Sequence, residues 1–257
     1  MLAIAVVMIL AGEVTRLTFF FICGMILVYE YCSRLKEKGI HTVYWAIYAM
    51  LIAGFVLALT HCGPMTYIAA FLFCMCSTFL VAVISKKVSA EGALYTIGGL
   101  AYPGFIALLL FIVVTSDVWH QALLIGCSAV FVCDTFCLFG GKWFGKHKLC
   151  PAVSPKKTWE GSITGAVSSI ILGVPVYFIA GLFAPLPLWF CIVACLLSST
   201  AGQIGDLAES LIKRHLGIKD FSNLIPGHGG LFDRADSLIF SVPTAYFCIY
   251  ILNYFFA

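Results

Sequence analysis

Long apolar segments run through most of the chain, and short polar stretches separate them. The segments lie at about 2–12, 17–32, 42–60, 64–84, 95–115, 120–140, 163–183, 186–204 and 237–256. A transmembrane helix needs roughly 20 apolar residues, and windows of that length recur along the chain. The pattern predicts an all-α polytopic membrane protein with about nine transmembrane segments, of which the first is short.

Composition agrees with this fold class. Hydrophobic residues make up 62% of the chain and charged residues 11%, with a mean hydropathy of +1.04, whereas a soluble domain has roughly 45–50% apolar and about 25% charged residues. The 12 cysteines include no Cys-x-x-Cys pair and mostly fall within apolar segments, so we expect reduced packing residues. No polar region is long enough for a soluble core, so a single membrane domain, 1–257, is expected.

Basic residues lie on one side of the predicted topology. Alternate threading of the segments places the loops 33–41, 85–94, 141–162 and 205–236 together, and these loops hold every Lys and Arg except Arg16. By the positive-inside rule this side is cytoplasmic, with the N-terminus inside and the C-terminus outside. Residues 1–12 lack a basic n-region and a clear cleavage site, which favours a short first span over a signal peptide.

The stretch Gly205–Ser237 concentrates ionisable residues between two apolar segments. The chain is expected to continue as a helix past Gly205, because polar side chains recur on one helical face. This face comprises Asp206, Glu209, Ser210, Lys213 and Arg214. An interfacial amphipathic helix with i,i+4 ion pairs is the alternative. The acids lie at the membrane end and the bases further out, which favours a site for phosphate and metal.

A glycine-rich segment follows, with the sequence Ile225-Pro226-Gly227-His228-Gly229-Gly230. Glycine and proline break helices and expose backbone N–H groups, which suits a loop against phosphate. Asp233, Arg234 and Asp236 then open the last apolar segment. Mg²⁺ prefers oxygen ligands and is typically held by one or two carboxylates plus substrate phosphates. Asp206 and Asp233 are therefore predicted to clamp one or two divalent ions, and a monovalent cation is compatible with the same site.

Two features upstream of Gly205 also indicate a site for phosphate. Ser154 is expected to cap a helix with Pro155 at its first position and Lys156 and Lys157 in its first turn, which would place phosphate at the helix N-terminus. Positive-inside anchoring alone is the alternative for these lysines. Asp134 lies inside the sixth segment, where a carboxylate usually faces a polar cavity; pairing with a lysine of the next loop is the alternative.

Two further expectations concern a packing face and an interfacial ion pair. Gly161 and Gly165 are spaced as a small-xxx-small face for close helix packing. Glu30, near the inner end of the second segment, is expected to form an interfacial pair with Arg34, one turn later.

The charged motifs together resemble a known family signature. The motifs are Ser210-x-x-Lys213-Arg214, Lys219-Asp220, Pro226-Gly227-His228-Gly229-Gly230 and Asp233-Arg234-x-Asp236. They are similar to those of the phosphatidate cytidylyltransferases (CDP-diacylglycerol synthases), and Asp134 with 154–161 matches a second block of that family. The resemblance covers roughly 130–240. Ala235 and Thr164 depart from it, since the family usually has a larger aliphatic residue and a glycine there.

The resemblance implies a nucleotidyltransferase that transfers a cytidylyl group from CTP to phosphatidate, with Mg²⁺, giving CDP-diacylglycerol and pyrophosphate. Residues 1–133 would then be mainly scaffold, and 134–240 a catalytic core with two cytoplasmic loops. The implied catalytic residues are Asp206, Lys213, Arg214, Lys219, Asp233, Arg234 and Asp236, with Asp206 and Asp233 on the metal and Glu209 nearby. The implied substrate-binding residues are Asp134, Lys156, Lys157, Ser210, Gly227, His228, Gly229 and Gly230.

The expected partners are CTP, phosphatidate and the lipid bilayer, with no nucleic acid, and small residues at helix faces permit a homodimer. The expected location is the bacterial cytoplasmic membrane, with the active site facing the cytoplasm. One alternative is a CTP-dependent kinase of a polyprenol or similar lipid alcohol, which would release CDP. Another is a transporter with a re-entrant glycine loop, but the charged residues crowd at one face and do not follow a path across the bilayer.

Overall fold

A computed structural model describes residues 12–85, 87–181, 186–224 and 229–256. Contacts divide the chain into two compact units. The first unit comprises the described residues within Met1–Ser116 and Asp220–Asp233, and the second those within Asp117–Lys219 and Arg234–Ala257. The predicted single domain stays a prediction.

Helices form most of the first unit. They are α1 (Glu13–Glu37), α2 (Tyr44–Leu59), α3 (Pro64–Ile84), α4 (Ala90–Gly99), a π-helical segment (Leu100–Phe105) and α5 (Ile106–Val114). The segment between α4 and α5 is kinked at Tyr102, whose backbone leaves helical geometry next to Pro103. The core of this unit consists of fully buried side chains from several helices, including Leu17, Val28, Ile47, Met50, Leu108 and Phe111. Their burial provides the main packing of the unit.

The second unit is a helix bundle with one small β-hairpin. Its elements are α6 (Trp119–Trp143), β1 (Lys148–Cys150), β2 (Ser154–Thr158), α7 (Trp159–Ala180), α8 (Leu188–His215), α9 (Phe232–Ala235), which begins in the first unit, and α10 (Leu238–Phe256). The Ser241 hydroxyl of α10 donates to the carbonyl oxygen of Gly126 in α6 at 2.9 Å. A side chain at Gly126 would meet the Cα atom of Val242 at 2.7 Å, so these two helices pack backbone to backbone.

Within the described part of the chain, seven helical stretches are long and apolar enough to cross a membrane, and α2 is a shorter apolar helix. Large apolar side chains remain exposed along them, as with Val83 at 84%, which suits contact with lipid. The chain is therefore an all-α polytopic membrane protein, as predicted. The first predicted segment, 2–12, lies largely outside the described residues, so the count of nine stays a prediction.

The loop before α7 differs from the prediction. Ser154, Pro155, Lys156 and Lys157 do not begin a helix; they lie in β2, which pairs antiparallel with β1. Helix α7 begins at Trp159 instead, because the Thr158 side chain caps it by accepting the Gly161 N–H at 3.2 Å. The two lysines are therefore not in a first helical turn, so the predicted helix start at Ser154 is wrong, whereas phosphate binding by these lysines stays a prediction.

The predicted close-packing face of Gly161 and Gly165 is confirmed. A side chain at Gly161 would meet the Cys137 carbonyl oxygen at 2.7 Å, and one at Gly165 the Cys133 carbonyl oxygen at 2.9 Å. Both carbonyl groups belong to α6. Helices α6 and α7 can approach this closely only because these positions carry no side chain.

We expect Gly165→Ala to destabilise the protein by about 1–3 kcal/mol, because the new methyl group overpacks against helix backbone that cannot rotate away. The measurement is the thermal unfolding midpoint in detergent, followed by circular dichroism. Gly63→Ala is the matched control, since nothing lies within 4 Å of its added carbon. An unchanged midpoint for Gly165→Ala would contradict the close approach of α6 and α7.

Candidate functional site

Helix α8 carries the charged face of the site. It extends without interruption to His215, which confirms the predicted continuation past Gly205. The Lys213 ammonium lies 2.5 Å from the Glu209 carboxylate, and the two side chains are 12% and 1% exposed. The Ser210 hydroxyl lies 3.5 Å from Asp206. An ion pair this deeply buried is unlike the exposed i,i+4 pairs of an ordinary interfacial helix.

The β-hairpin contributes a second lysine to this face. The Lys157 Nζ atom lies 2.7 Å from Oδ2 of Asp206, and both side chains are about one third or less exposed, at 27% and 33%. The Arg214 Nε donates to the carbonyl oxygen of Val153 in the hairpin turn at 3.2 Å. The hairpin is thus fixed to α8 by both an ion pair and a backbone contact.

Two further carboxylates share the neighbourhood of Asp206. Asp236, just before α10, and Asp134, on α6, both interact electrostatically with Asp206. Asp134 also interacts with Lys157, and Asp236 with Lys213. A side chain at Gly205 would collide with the Asp236 carbonyl oxygen, so α8 approaches the Asp236 backbone directly. Three acids and two lysines of the second unit therefore influence one another electrostatically.

A polar bridge inside the bundle was not predicted. The Gln203 side chain accepts from the Ser162 hydroxyl and donates to the Ser162 carbonyl oxygen at 3.3 Å. It also donates to the Cys133 sulfur at 3.2 Å, so it joins α6, α7 and α8 one turn before Asp206. An amide inside an apolar segment is the signal that could have revealed it, because buried polar groups in membranes need partners.

The base of the hairpin is held by Glu160. Its carboxylate lies 2.6 Å from Nδ1 of His147 and accepts the His147 backbone N–H at 3.2 Å. The Trp159 N–H donates to the His147 carbonyl oxygen at 3.0 Å. These contacts fix the hairpin, and with it Lys157, at the start of α7.

The first unit holds the described part of the glycine segment. Oδ2 of Asp233 accepts the backbone N–H groups of Gly230 at 2.9 Å and Phe221 at 3.0 Å. Glu30, from α1, is 1% exposed and accepts hydrogen bonds from the same segment. The predicted pair of Glu30 with Arg34 is wrong: Arg34 binds Glu37 at 2.6 Å and the Phe221 carbonyl oxygen.

The candidate residues predicted from sequence fall into three groups. The second unit contains Asp134, Lys156, Lys157, Asp206, Glu209, Ser210, Lys213, Arg214, Lys219, Arg234 and Asp236. The first unit contains Gly229, Gly230 and Asp233. Gly227 and His228 lie outside the described residues. Lys156, Lys219 and Arg234 are exposed.

Metal ligation stays a prediction. Asp206 and Asp233 belong to different units, so their joint binding of a cation is untested. Among the residues that the structure describes, no three His, Cys, Asp or Glu side chains are placed to hold a metal ion. Mg²⁺ commonly takes only one or two carboxylates from the protein.

The charged cluster comprises Asp134, Lys157, Asp206, Lys213 and Asp236. Together with the fold, it defines the class of protein: a polytopic helical membrane protein with paired acidic and basic side chains at the ends of its spans. Comparison with known proteins narrows it. The family model described as "Cytidylyltransferase family" matches residues 1–252. The chain is 32% identical over 228 residues to "Phosphatidate cytidylyltransferase" of Rickettsia bellii (strain RML369-C), which covers 85% of this chain and 94% of that relative.

Two staphylococcal relatives carry the same name. Identity is 36% over 187 residues to the protein of Staphylococcus aureus (strain COL), covering 71% of this chain and 70% of that protein. It is 39% over 162 residues to that of Staphylococcus haemolyticus (strain JCSC1435), covering 63% and 61%. The chain belongs to the cytidylyltransferase family and is a nucleotidyltransferase.

Proposed function

We propose that the protein transfers the cytidylyl group of CTP to phosphatidate, releasing pyrophosphate and forming CDP-diacylglycerol. The observation that carries this proposal is the match to the cytidylyltransferase family over 1–252, with relatives named phosphatidate cytidylyltransferase. The lysines of the charged cluster on α8 and the hairpin are suited to binding the phosphates of a nucleoside triphosphate.

The chemistry asks for charge and alignment rather than strong base catalysis. A phosphate monoester has its second pKa near 6, so phosphatidate is largely a dianion at neutral pH and can attack the α-phosphorus of CTP directly. The protein must bring the two anions together and stabilise the departing pyrophosphate. Lys157 and Lys213 are suited to this task, since Asp206 and Glu209 hold their ammonium groups in place.

Mg²⁺ suits the donor set of the second unit. The carboxylates of Asp206, Asp236 and Asp134 repel one another electrostatically, and a cation bound at Asp206 would relieve that repulsion. Asp206 would hold the ion, with Asp236 and Asp134 as neighbours; Asp233 stays the partner predicted from sequence. A bound Mg²⁺ neutralises the charge of the CTP phosphates. The proposal includes one or two divalent ions, and a monovalent cation is compatible with the same site.

The proposed topology has the N-terminus inside, the C-terminus outside and nine spans in the bacterial cytoplasmic membrane. All Lys and Arg except Arg16 fall in the polar stretches of the proposed cytoplasmic side, either in loops or at the ends of helices, which supports this orientation. The charged end of α8 then faces the compartment that contains CTP. Phosphatidate would reach it from the inner leaflet with its acyl chains still in the bilayer.

The reaction is tested with purified protein in detergent, phosphatidate, Mg²⁺ and CTP labelled in its cytosine ring. We expect the label to enter a lipid product and unlabelled pyrophosphate to be released in equal amount. A lipid-alcohol kinase would instead leave the label in water-soluble CDP. Label that stays in CTP under all conditions would contradict the proposed function.

A further inference from the structure

Glu30 is the one acid of α1 that is almost fully buried, at 1% exposure, among the described residues. Its carboxylate accepts the Leu231 N–H at 3.0 Å through Oε1 and the Phe232 N–H at 2.7 Å through Oε2. The Ser222 hydroxyl donates to Oε1 as well. All of these partners lie about 200 positions away in the chain but within the same unit.

The backbone N–H groups that bind Glu30 have no acceptor in their own helix. The N–H of Phe232 is buried and begins α9, so no preceding turn of helix can accept it. A buried N–H without a partner destabilises the fold, because its hydrogen bonds to water are lost and not replaced. A carboxylate that accepts three hydrogen bonds is in turn well stabilised inside a span. The Glu30 carboxylate and the N–H groups at the start of α9 therefore complete each other's hydrogen bonding.

Gly230 makes this contact geometrically possible. A side-chain carbon at Gly230 would lie 2.8 and 2.9 Å from the two Glu30 oxygens and 3.0 Å from Oδ2 of Asp233. Oδ2 of Asp233 accepts the Gly230 N–H, and the Phe221 and Phe232 rings pack with centroids 4.4 Å apart. Gly230 is thus held between Glu30 on one side and Asp233 on the other.

We propose that Glu30 is a positioning residue: by holding Ser222, Leu231 and Phe232, it keeps the neighbouring Gly230 and Asp233 in the arrangement needed for cytidylyl transfer. Residues 1–133 then contribute more than scaffold. The effect on catalysis rests on the proposed function, whereas the effect on the segment does not.

The structural arm of the test is hydrogen–deuterium exchange of the purified protein in detergent, read by mass spectrometry. Glu30→Gln removes the charge and replaces one acceptor oxygen by a donor. We expect about tenfold faster exchange in peptides covering 220–224 and 229–233, and unchanged exchange in α2. Glu91→Gln, at an exposed acid of the same unit, should change neither. Unchanged exchange in 229–233, or an equal rise throughout α2, would overturn the proposal.

The catalytic arm uses the same proteins. We expect Glu30→Ala to lower kcat for CDP-lipid formation at least about tenfold, with a smaller loss for Glu30→Gln because its remaining oxygen still accepts a hydrogen bond. Should Glu30→Ala fail to fold, Glu30→Gln carries both measurements. Faster local exchange with undiminished kcat would overturn the catalytic part. A wild-type protein that makes no CDP-lipid would refute the proposed function, while the exchange result still decides the role of Glu30.

Discussion

Asp206→Asn is expected to reduce CDP-lipid formation about 10³-fold while the protein stays folded. Asp206 holds Lys157 at 2.7 Å and shares its neighbourhood with two more acids. The amide has the same shape but no charge, so it holds the ammonium group and attracts a cation much more weakly. Loss of one preorganised charged group typically costs 10²–10³ in rate, and loss of cation binding adds to it. The measurement is initial rate with labelled CTP over a range of Mg²⁺ concentrations.

The control for this variant is Asp117→Asn, an exposed acid of the same unit, which should keep full activity. Asp206→Asn should need more Mg²⁺ than the wild type for half of its residual rate. If the Mg²⁺ dependence does not change, Asp206 acts only through Lys157, and the proposed metal role is refuted.

Lys157→Gln is expected to lower the rate about 10²-fold. The ammonium group is only 27% exposed and is held by Asp206, so its charge acts at a defined place, where it is worth more than in open water. The expected loss lies mainly in kcat if Lys157 stabilises the departing pyrophosphate, and the measurement is kcat and KM for CTP.

Lys148→Gln is the matched control, because Lys148 is an exposed lysine of the strand paired with β2. It should keep near wild-type rates. The double variant of Lys157→Gln and Asp206→Asn should lose less than the product of the two single losses, since the side chains are in contact. Equal losses for Lys148→Gln and Lys157→Gln would show that only the total loop charge matters.

Local pattern predicted the helices well. The apolar runs marked the spans found among the described residues, and the spacing of Asp206, Ser210 and Lys213 predicted that α8 continues beyond its apolar part. Gly161 and Gly165 also revealed their packing role from spacing alone. These features depend on residues within a few turns of each other, which sequence displays directly.

Features that depend on distant partners were missed. The Ser154-Pro155 start was a reasonable helix signal, yet pairing with Lys148–Cys150 places it in a strand, and Thr158 provides the cap. Glu30 was assigned to Arg34, one turn away, whereas its partners are near Phe232. Local propensity cannot reveal such tertiary contacts. The stability of a buried carboxylate depends on the hydrogen-bond donors that the folded chain places beside it, and these can be far away in the sequence.

The length of α8 has a consequence for the depth at which the proposed reaction takes place in the membrane. Its 28 residues extend about 42 Å at 1.5 Å per residue, against a hydrocarbon core of about 30 Å. Asp206 lies about 27 Å along the helix from Leu188, which in the proposed topology is near the level where lipid tails give way to glycerol and phosphate. Under the proposed function, a phosphatidate headgroup at its natural level in the leaflet would be level with the nucleotide, so the enzyme need not lift its lipid substrate into water.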